Sequence, residues 1–174
     1  MGNTLSKLKC VKKTRTKMYC VRDREYKRFF EAVELLDLLN KKIIKLISVL
    51  KKKHPKDNRV LRLKERYNPT LLKEVLPSSE HIAYVRDKGD EYAMCLQMER
   101  LESKFVDINT LAFVALHEIS HIASVSVGHN AEFSKNFKFI LENAVIARIY
   151  LPIDYRINPV RYCGMTITHN PYFE

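Results

Sequence analysis

Three of the chain's six histidines fall within the twenty residues VALHEISHIASVSVGHNAEF, a stretch that is otherwise mostly apolar or small. His117-Glu118-Ile119-Ser120-His121 reads H-E-x-x-H. On a helix, positions i and i+4 share one face a turn apart, so both imidazoles can reach a single metal ion. Glu118 stands one step round the helix, placed to hold a water beside the metal and take its proton. The flanks Leu111, Phe113, Val114, Leu116, Ile119, Ile122 and Val125 mark a buried helix. Two histidines and a carboxylate there are costly if unpaired, and a metal offsets that cost. The bland alternative is a buried polar network with no metal in it.

Zinc needs a third protein ligand. His129 lies eight residues after His121, and Gly128 permits a sharp turn that brings it back over the helix face. Glu142, on the next helix, is the other candidate. His129 is preferred because a lone glutamate on a helix is usually solvated. Three ligands leave one tetrahedral position open, the arrangement of a catalytic rather than a structural zinc. Cys163 and His169 could supply half of a closed site, but nothing else in the chain completes it.

These residues need elements to hold them. The 174 residues, 46% of them hydrophobic, can bury one sizeable core. A helix is expected from Asp23 as N-cap to about Lys53, with Phe29, Val33, Leu36, Ile43, Ile47 and Leu50 on one face and Asn40 in the polar gap. It either packs on its own domain or forms a short coiled-coil seam with Asn40 fixing register. Pro55 ends it, and a shorter helix follows to Tyr67. The runs HIAYVRD and EYAMCLQM alternate as a hairpin around Gly89. Asp107 or Asn109 caps the histidine helix, and Asn130 opens a last long helix. Residues 151–174 read as loop wrapping the domain.

The segments LHEISH and GHNAEF, with Phe133 four residues after His129, resemble the WLM-domain metalloproteases, relatives of the SprT-like proteases. YNPTLLKEVLP, the hairpin and NPVRYCGM resemble a branch of that family carried by large DNA viruses of eukaryotes. The likeness covers residues 67–174 and leaves the first third unmatched. It implies a compact α+β zincin-like domain with an active-site helix and a small sheet whose edge strand holds an extended peptide. It also implies zinc-dependent cleavage of proteins, DNA-associated in the cellular relatives. His117, His121 and His129 would hold Zn²⁺, and Glu118 would be general base and then acid. Tyr155, Arg161, Tyr162 and His169 are candidates, by residue type alone, for stabilising the oxyanion.

The net charge of +11 is lopsided. Residues 1–66 carry 21 Lys or Arg against 7 Asp or Glu, whereas residues 67–174 carry 10 against 13. The basic third suits a polyanion, either DNA or an anionic membrane. MGNTLS fits M-G-x-x-x-[ST], so Gly2 is an expected N-myristoylation site, with the following lysines as a second anchor. The expected organisation is a basic arm over 1–22, a basic helical region over 23–66 and the metalloprotease domain over 67–174. Four scattered cysteines and no apolar leader suggest an intracellular, reducing location. The resemblance to the viral branch, taken with the acylation pattern, implies a place at a membrane or in a virion beside other virion proteins. In the competing reading, the chain is a myristoylated structural or minor capsid protein whose metal site mainly serves stability.

Overall fold

The computed structural model describes residues 7–86 and 90–174. Gly2 and Ser6 of the acylation pattern, and Gly89 of the hairpin turn, lie outside these. Among the described residues, seven strands and four α-helices give an α+β architecture, in the order β1 (Leu8–Lys12), β2 (Met18–Arg22), α1 (Tyr26–Lys53), α2 (Asn58–Arg66), β3 (Leu71–Glu74), β4 (Ala83–Arg86), β5 (Glu91–Met94), α3 (Ile108–Ala123), α4 (Ala131–Ile146), β6 (Val160–Tyr162) and β7 (Met165–Ile167), with a final 3₁₀ turn over Pro171–Phe173. No helix among the described residues is long and apolar enough to cross a membrane.

The main sheet runs β1-β2-β3-β5-β4. Its centre is parallel, β2 to β3 and β3 to β5, while both outer strands are antiparallel to their neighbours. The runs HIAYVRD and EYAMCLQM pair as antiparallel strands as expected, with Tyr84 opposite Ala93 and Val85 opposite Tyr92, but burial does not alternate along them: Tyr92, Ala93 and Met94 are all buried. Strand β4 is left at the edge, against the N-terminal part of the site.

The basic arm expected over residues 1–22 is corrected from Leu8 onward. Residues 8–22 form a hairpin built into the sheet, with Tyr19, Cys20, Val21 and Arg22 buried. The physical reason is that β2 supplies the β-forming run Met18 to Val21 and buries it between β1 and β3. Two polar clusters fasten this hairpin. Tyr19 donates its hydroxyl to Asp37 at 2.7 Å, and Lys13 and Lys41 reach the same carboxylate at 3.0 and 2.8 Å. Glu74, fully buried, accepts from the Arg22 amide at 2.9 Å and from the Arg24 guanidinium at 2.7 Å. Asp23, expected to cap α1, instead pairs with Lys9 at 3.1 Å, and the helix begins after Glu25 without a side-chain cap.

Helix α1 packs on its own domain, against β2, α2, α3 and α4, rather than presenting a coiled-coil seam. Asn40 is buried and accepts a hydrogen bond from the Tyr67 hydroxyl at 2.8 Å, so the polar gap in the stripe is filled from α2's end. Asp57, Asp107 and Asn130 cap α2, α3 and α4, each accepting from a backbone amide of the first turn.

The cysteines also depart from expectation. Cys10 joins Cys20, and Cys95 joins Cys163. The first pair is directly opposed across the β1–β2 hairpin, a proximity that 10 residues of separation conceal until the strands are registered. The second ties the β6–β7 hairpin to the end of β5, so residues 160–167 are a strapped β-hairpin and not plain loop.

Candidate metal centre

Helix α3 is the middle of the molecule: all but four of its sixteen residues are buried, and it contacts α1, α2, α4 and β4. Beyond its first two residues, Ile108 and Asn109, only His117 and His121 on this helix are partly open. The helix stops at Ala123. Ser124 returns its hydroxyl to the Ser120 carbonyl at 2.7 Å, and Asn136 of α4 donates to that same hydroxyl at 2.9 Å.

The loop over 124–130 then carries His129 back. Glu132, in the first turn of α4, accepts from the Val125 amide at 2.6 Å and from the Ser126 hydroxyl at 2.6 Å. These hydrogen bonds, from Ser126 first, hold the Glu132 carboxyl below its ordinary range. Gly128 has φ of +91°, a left-handed turn where a side chain would be strained.

The outcome is a three-histidine cluster. One ring nitrogen from each of His117, His121 and His129 lies within 4.8 Å of the others, and His121 Nε2 is 3.2 Å from His129 Nε2. Two nitrogens bound at about 2.0–2.1 Å to a tetrahedral ion stand roughly 3.4 Å apart, so the closest pair has ligand spacing. The cluster could therefore bind a metal. Glu142 is exposed on α4 and is no part of it.

Phe133 shows why an aromatic follows the third histidine. Its ring is 4% exposed, stacks on His121 at 4.3 Å between centroids, and meets His117 and His129 edge-on at 5.0 and 4.9 Å. Burial, and then the neighbouring His117 and His129, push His121 down in pKa against the opposing pull of Glu118, which favours the neutral imidazole a metal requires.

Glu118 is buried and lies 3.1 Å from His117 Nδ1. With the carboxylate accepting, the His117 proton sits on Nδ1 and Nε2 is left as the ligand atom. Tyr162 and Tyr92 lie beneath: burial raises both phenols, followed by the Glu118 charge at Tyr162 and by Tyr67 and then Glu118 at Tyr92.

A cleft of about 510 Å³ opens over this centre, bounded by Ile82 and Ala83 at the head of β4, by His117 and Glu118, and by Ile167 at the end of β7 and His169 just beyond it. The four oxyanion candidates now separate. Tyr155 is fully buried and bonded to Tyr150 at 2.9 Å. Arg161 is paired with Glu99 at 2.9 Å, away from the cleft lining. Tyr162 lines the cleft, but its hydroxyl reaches the carbonyls of Cys95 and Ile82 at 2.8 and 3.2 Å. His169 lines it as well, with an exposed side chain. The wall formed by β7 was not foreseen, since residues 165–169 carry no strong strand pattern.

No known family pattern matches the chain, and no solved structure matches it. Uncharacterized protein 136R of Invertebrate iridescent virus 6 is 37% identical over 49 residues, 28% of each of the two chains. Uncharacterized protein R325 of Acanthamoeba polyphaga mimivirus is 32% identical over 141 residues, which cover 79% of this chain and 71% of that protein. At that identity and coverage, the chain belongs to the family of the mimivirus protein R325.

Proposed function

We propose that this protein is a zinc-dependent metalloendopeptidase of zincin-like fold. The observation that carries the proposal is the cluster of His117, His121 and His129 with Glu118 beside it, of which His117, Glu118 and His129 line a cleft of about 510 Å³. Supporting the fold reading is the placement of an antiparallel edge strand, β4, against the helix that carries the first two histidines.

Zinc held by the three imidazoles supplies a Lewis acid for the scissile carbonyl and lowers the pKa of the attacking water. The chain's own groups do the rest. His117 is fixed in one tautomer by Glu118, and Phe133 clamps all three rings. The outer edge of β4 offers unpaired backbone groups along which an extended peptide can lie. Glu118 takes the proton of the attacking water and returns it to the leaving amine.

The purified protein should carry about one zinc per chain. Glu118→Gln should keep the zinc and lose peptide hydrolysis, because an amide cannot accept the proton. A zinc-loaded wild-type protein that cleaves no peptide or protein, with or without DNA, would overturn this reading. For partners we propose a protein substrate, with an anionic membrane met by the N-terminal lysines and an acyl group on Gly2. The viral relatives favour a viral protein acting in or near a virion.

A further inference from the structure

We infer that His169 is a catalytic residue of this centre, holding the substrate's carbonyl oxygen as it gains negative charge; this rests on the metallopeptidase reading above. A peptide laid along β4 has the histidine cluster beneath it and the β7 wall opposite. The residues of that wall are Met165, Thr166, Ile167, Thr168 and His169. Among them, His169 carries the one imidazole, a ring whose nitrogens can donate hydrogen bonds.

The other oxyanion candidates are committed elsewhere, while His81 lines the cleft on the opposite, β4 side, with its ring edge-on to Tyr84. The Tyr162 hydroxyl has one proton and two backbone carbonyls within reach. Tyr155 is sealed against Phe113, ring to ring at 4.8 Å. Arg161 forks onto Glu99 through two nitrogens at 3.0 and 2.9 Å. His169 has one ring nitrogen, Nε2, 3.1 Å from the Glu174 carboxylate. Nδ1 is the nitrogen left for the substrate, and donating from it while Nε2 faces that carboxylate requires a proton on each ring nitrogen.

His169 is also held in place, although its ring is exposed. The next residue, Asn170, is 3% exposed and donates to the Tyr150 hydroxyl at 3.1 Å and the Ile153 carbonyl at 2.9 Å. Tyr150 and Phe113 are packed ring on ring, and Phe113 belongs to α3. On the other side, β6–β7 is moored by Cys95–Cys163 and by the amides of Cys163 and Gly164 on Gln97 and Met98. The ring thus projects from a platform fixed to the helix that carries His117 and Glu118. A donor that need not reorganise as charge develops is the kind that accelerates acyl transfer most.

The bookkeeping of the reaction is unchanged. A C–O bond forms from water, the C–N bond breaks, and the water's proton passes through Glu118 to the nitrogen. His169 moves no atom permanently.

The test compares zinc-loaded wild type, His169→Ala and His169→Gln, measuring zinc content, peptide cleavage, and binding of a peptide phosphonate whose tetrahedral oxygens mimic the charged state. His169→Ala should keep its zinc and substrate KM, lose about 100- to 1000-fold in kcat, and bind the phosphonate correspondingly more weakly. His169→Gln, which retains a donor, should recover part of both. Cleavage and phosphonate affinity unchanged in His169→Ala would overturn the assignment of His169 while leaving the metallopeptidase reading intact. A wild-type protein that neither cleaves peptides nor binds the phosphonate would overturn both.

Discussion

Breaking the link between Cys95 and Cys163 should destabilise the protein strongly and loosen one wall of the cleft. The two residues are 68 positions apart, and both are buried. Cross-linking a loop of that size removes chain entropy from the unfolded state worth about 4 kcal/mol at 25 °C, against about 3 kcal/mol for the 10-residue loop of Cys10–Cys20. For a chain of this length each kcal/mol moves the melting point by roughly 2–4 °C, so losing the longer link should lower it by roughly 10–15 °C. The assay is thermal unfolding by circular dichroism of wild type, the Cys95→Ala/Cys163→Ala double variant and the Cys10→Ala/Cys20→Ala double variant, each with and without reductant. Zinc content should hold in the first double variant, because His117, His121 and His129 lie on α3 and its following loop. The KM for a peptide should rise, because β7 is the wall that the link moors. Four alkylatable thiols in the unreduced native protein, or a melting point indifferent to reductant, would refute the pairing and the argument built on it.

His129→Ala should abolish stoichiometric zinc binding, measured by metal analysis after dialysis, whereas Glu142→Ala should leave it intact; the reverse pattern would reassign the third ligand. Glu118→Gln should lower kcat by about 100- to 10,000-fold with unchanged zinc content, read by mass-resolved peptide cleavage. At Asp37, burial acts to raise the carboxyl pKa, but hydrogen bonds from Lys41, Tyr19 and Lys13 outweigh it and take it from 3.8 to about 2. A depressed carboxyl stabilises the fold above its unfolded pKa, and this contribution is lost as pH falls from about 4 through 2. Asp37→Asn should therefore cost about 1–2 kcal/mol at pH 7, after screening at exposed Lys41, and should flatten the acid limb of a denaturant titration. Intact-mass measurement of the protein from eukaryotic cells should find Met1 removed and Gly2 acylated; an unacylated Gly2 would leave the N-terminal lysines without their membrane anchor.

What could be read from the residues divides along a physical line. The four helices were legible because local signals specify them: Asp57, Asp107 and Asn130 cap as their types require, and the stripe on α1 has helical spacing. The three histidines were legible because H-E-x-x-H fixes two ligands on one face and Gly128 points to the turn that returns the third. Strands β1 and β2 were not, because their lysines and arginines mask a short alternation and their stability comes from partners about fifty residues away. Asp23 looked like a cap but found Lys9, which only the folded hairpin brings near. The cysteine pairs and the β7 wall depend on register and on long-range closure, neither of which spacing along the chain encodes.

The parallel pairing of β2 with β3 also bears on how the chain is made. Cys20 finds Lys73 as its register partner, so 53 residues must be synthesised after Cys20 (73 − 20) before it has its partner on the far edge of β2. At about 5–20 residues per second, the ribosome leaves that edge open for roughly 3–10 s. During this interval the β1–β2 hairpin is a bare pair of strands with one row of unpaired amides and carbonyls, a form that is marginal by itself and prone to join other strands. Helix α1 emerges meanwhile and can shelter Tyr19 through Asp37, but it cannot satisfy the open edge. Yield in a heterologous host should therefore respond more to translation speed and chaperone supply over residues 23–74 than to changes around the histidines, even though the histidines are where the chemistry is.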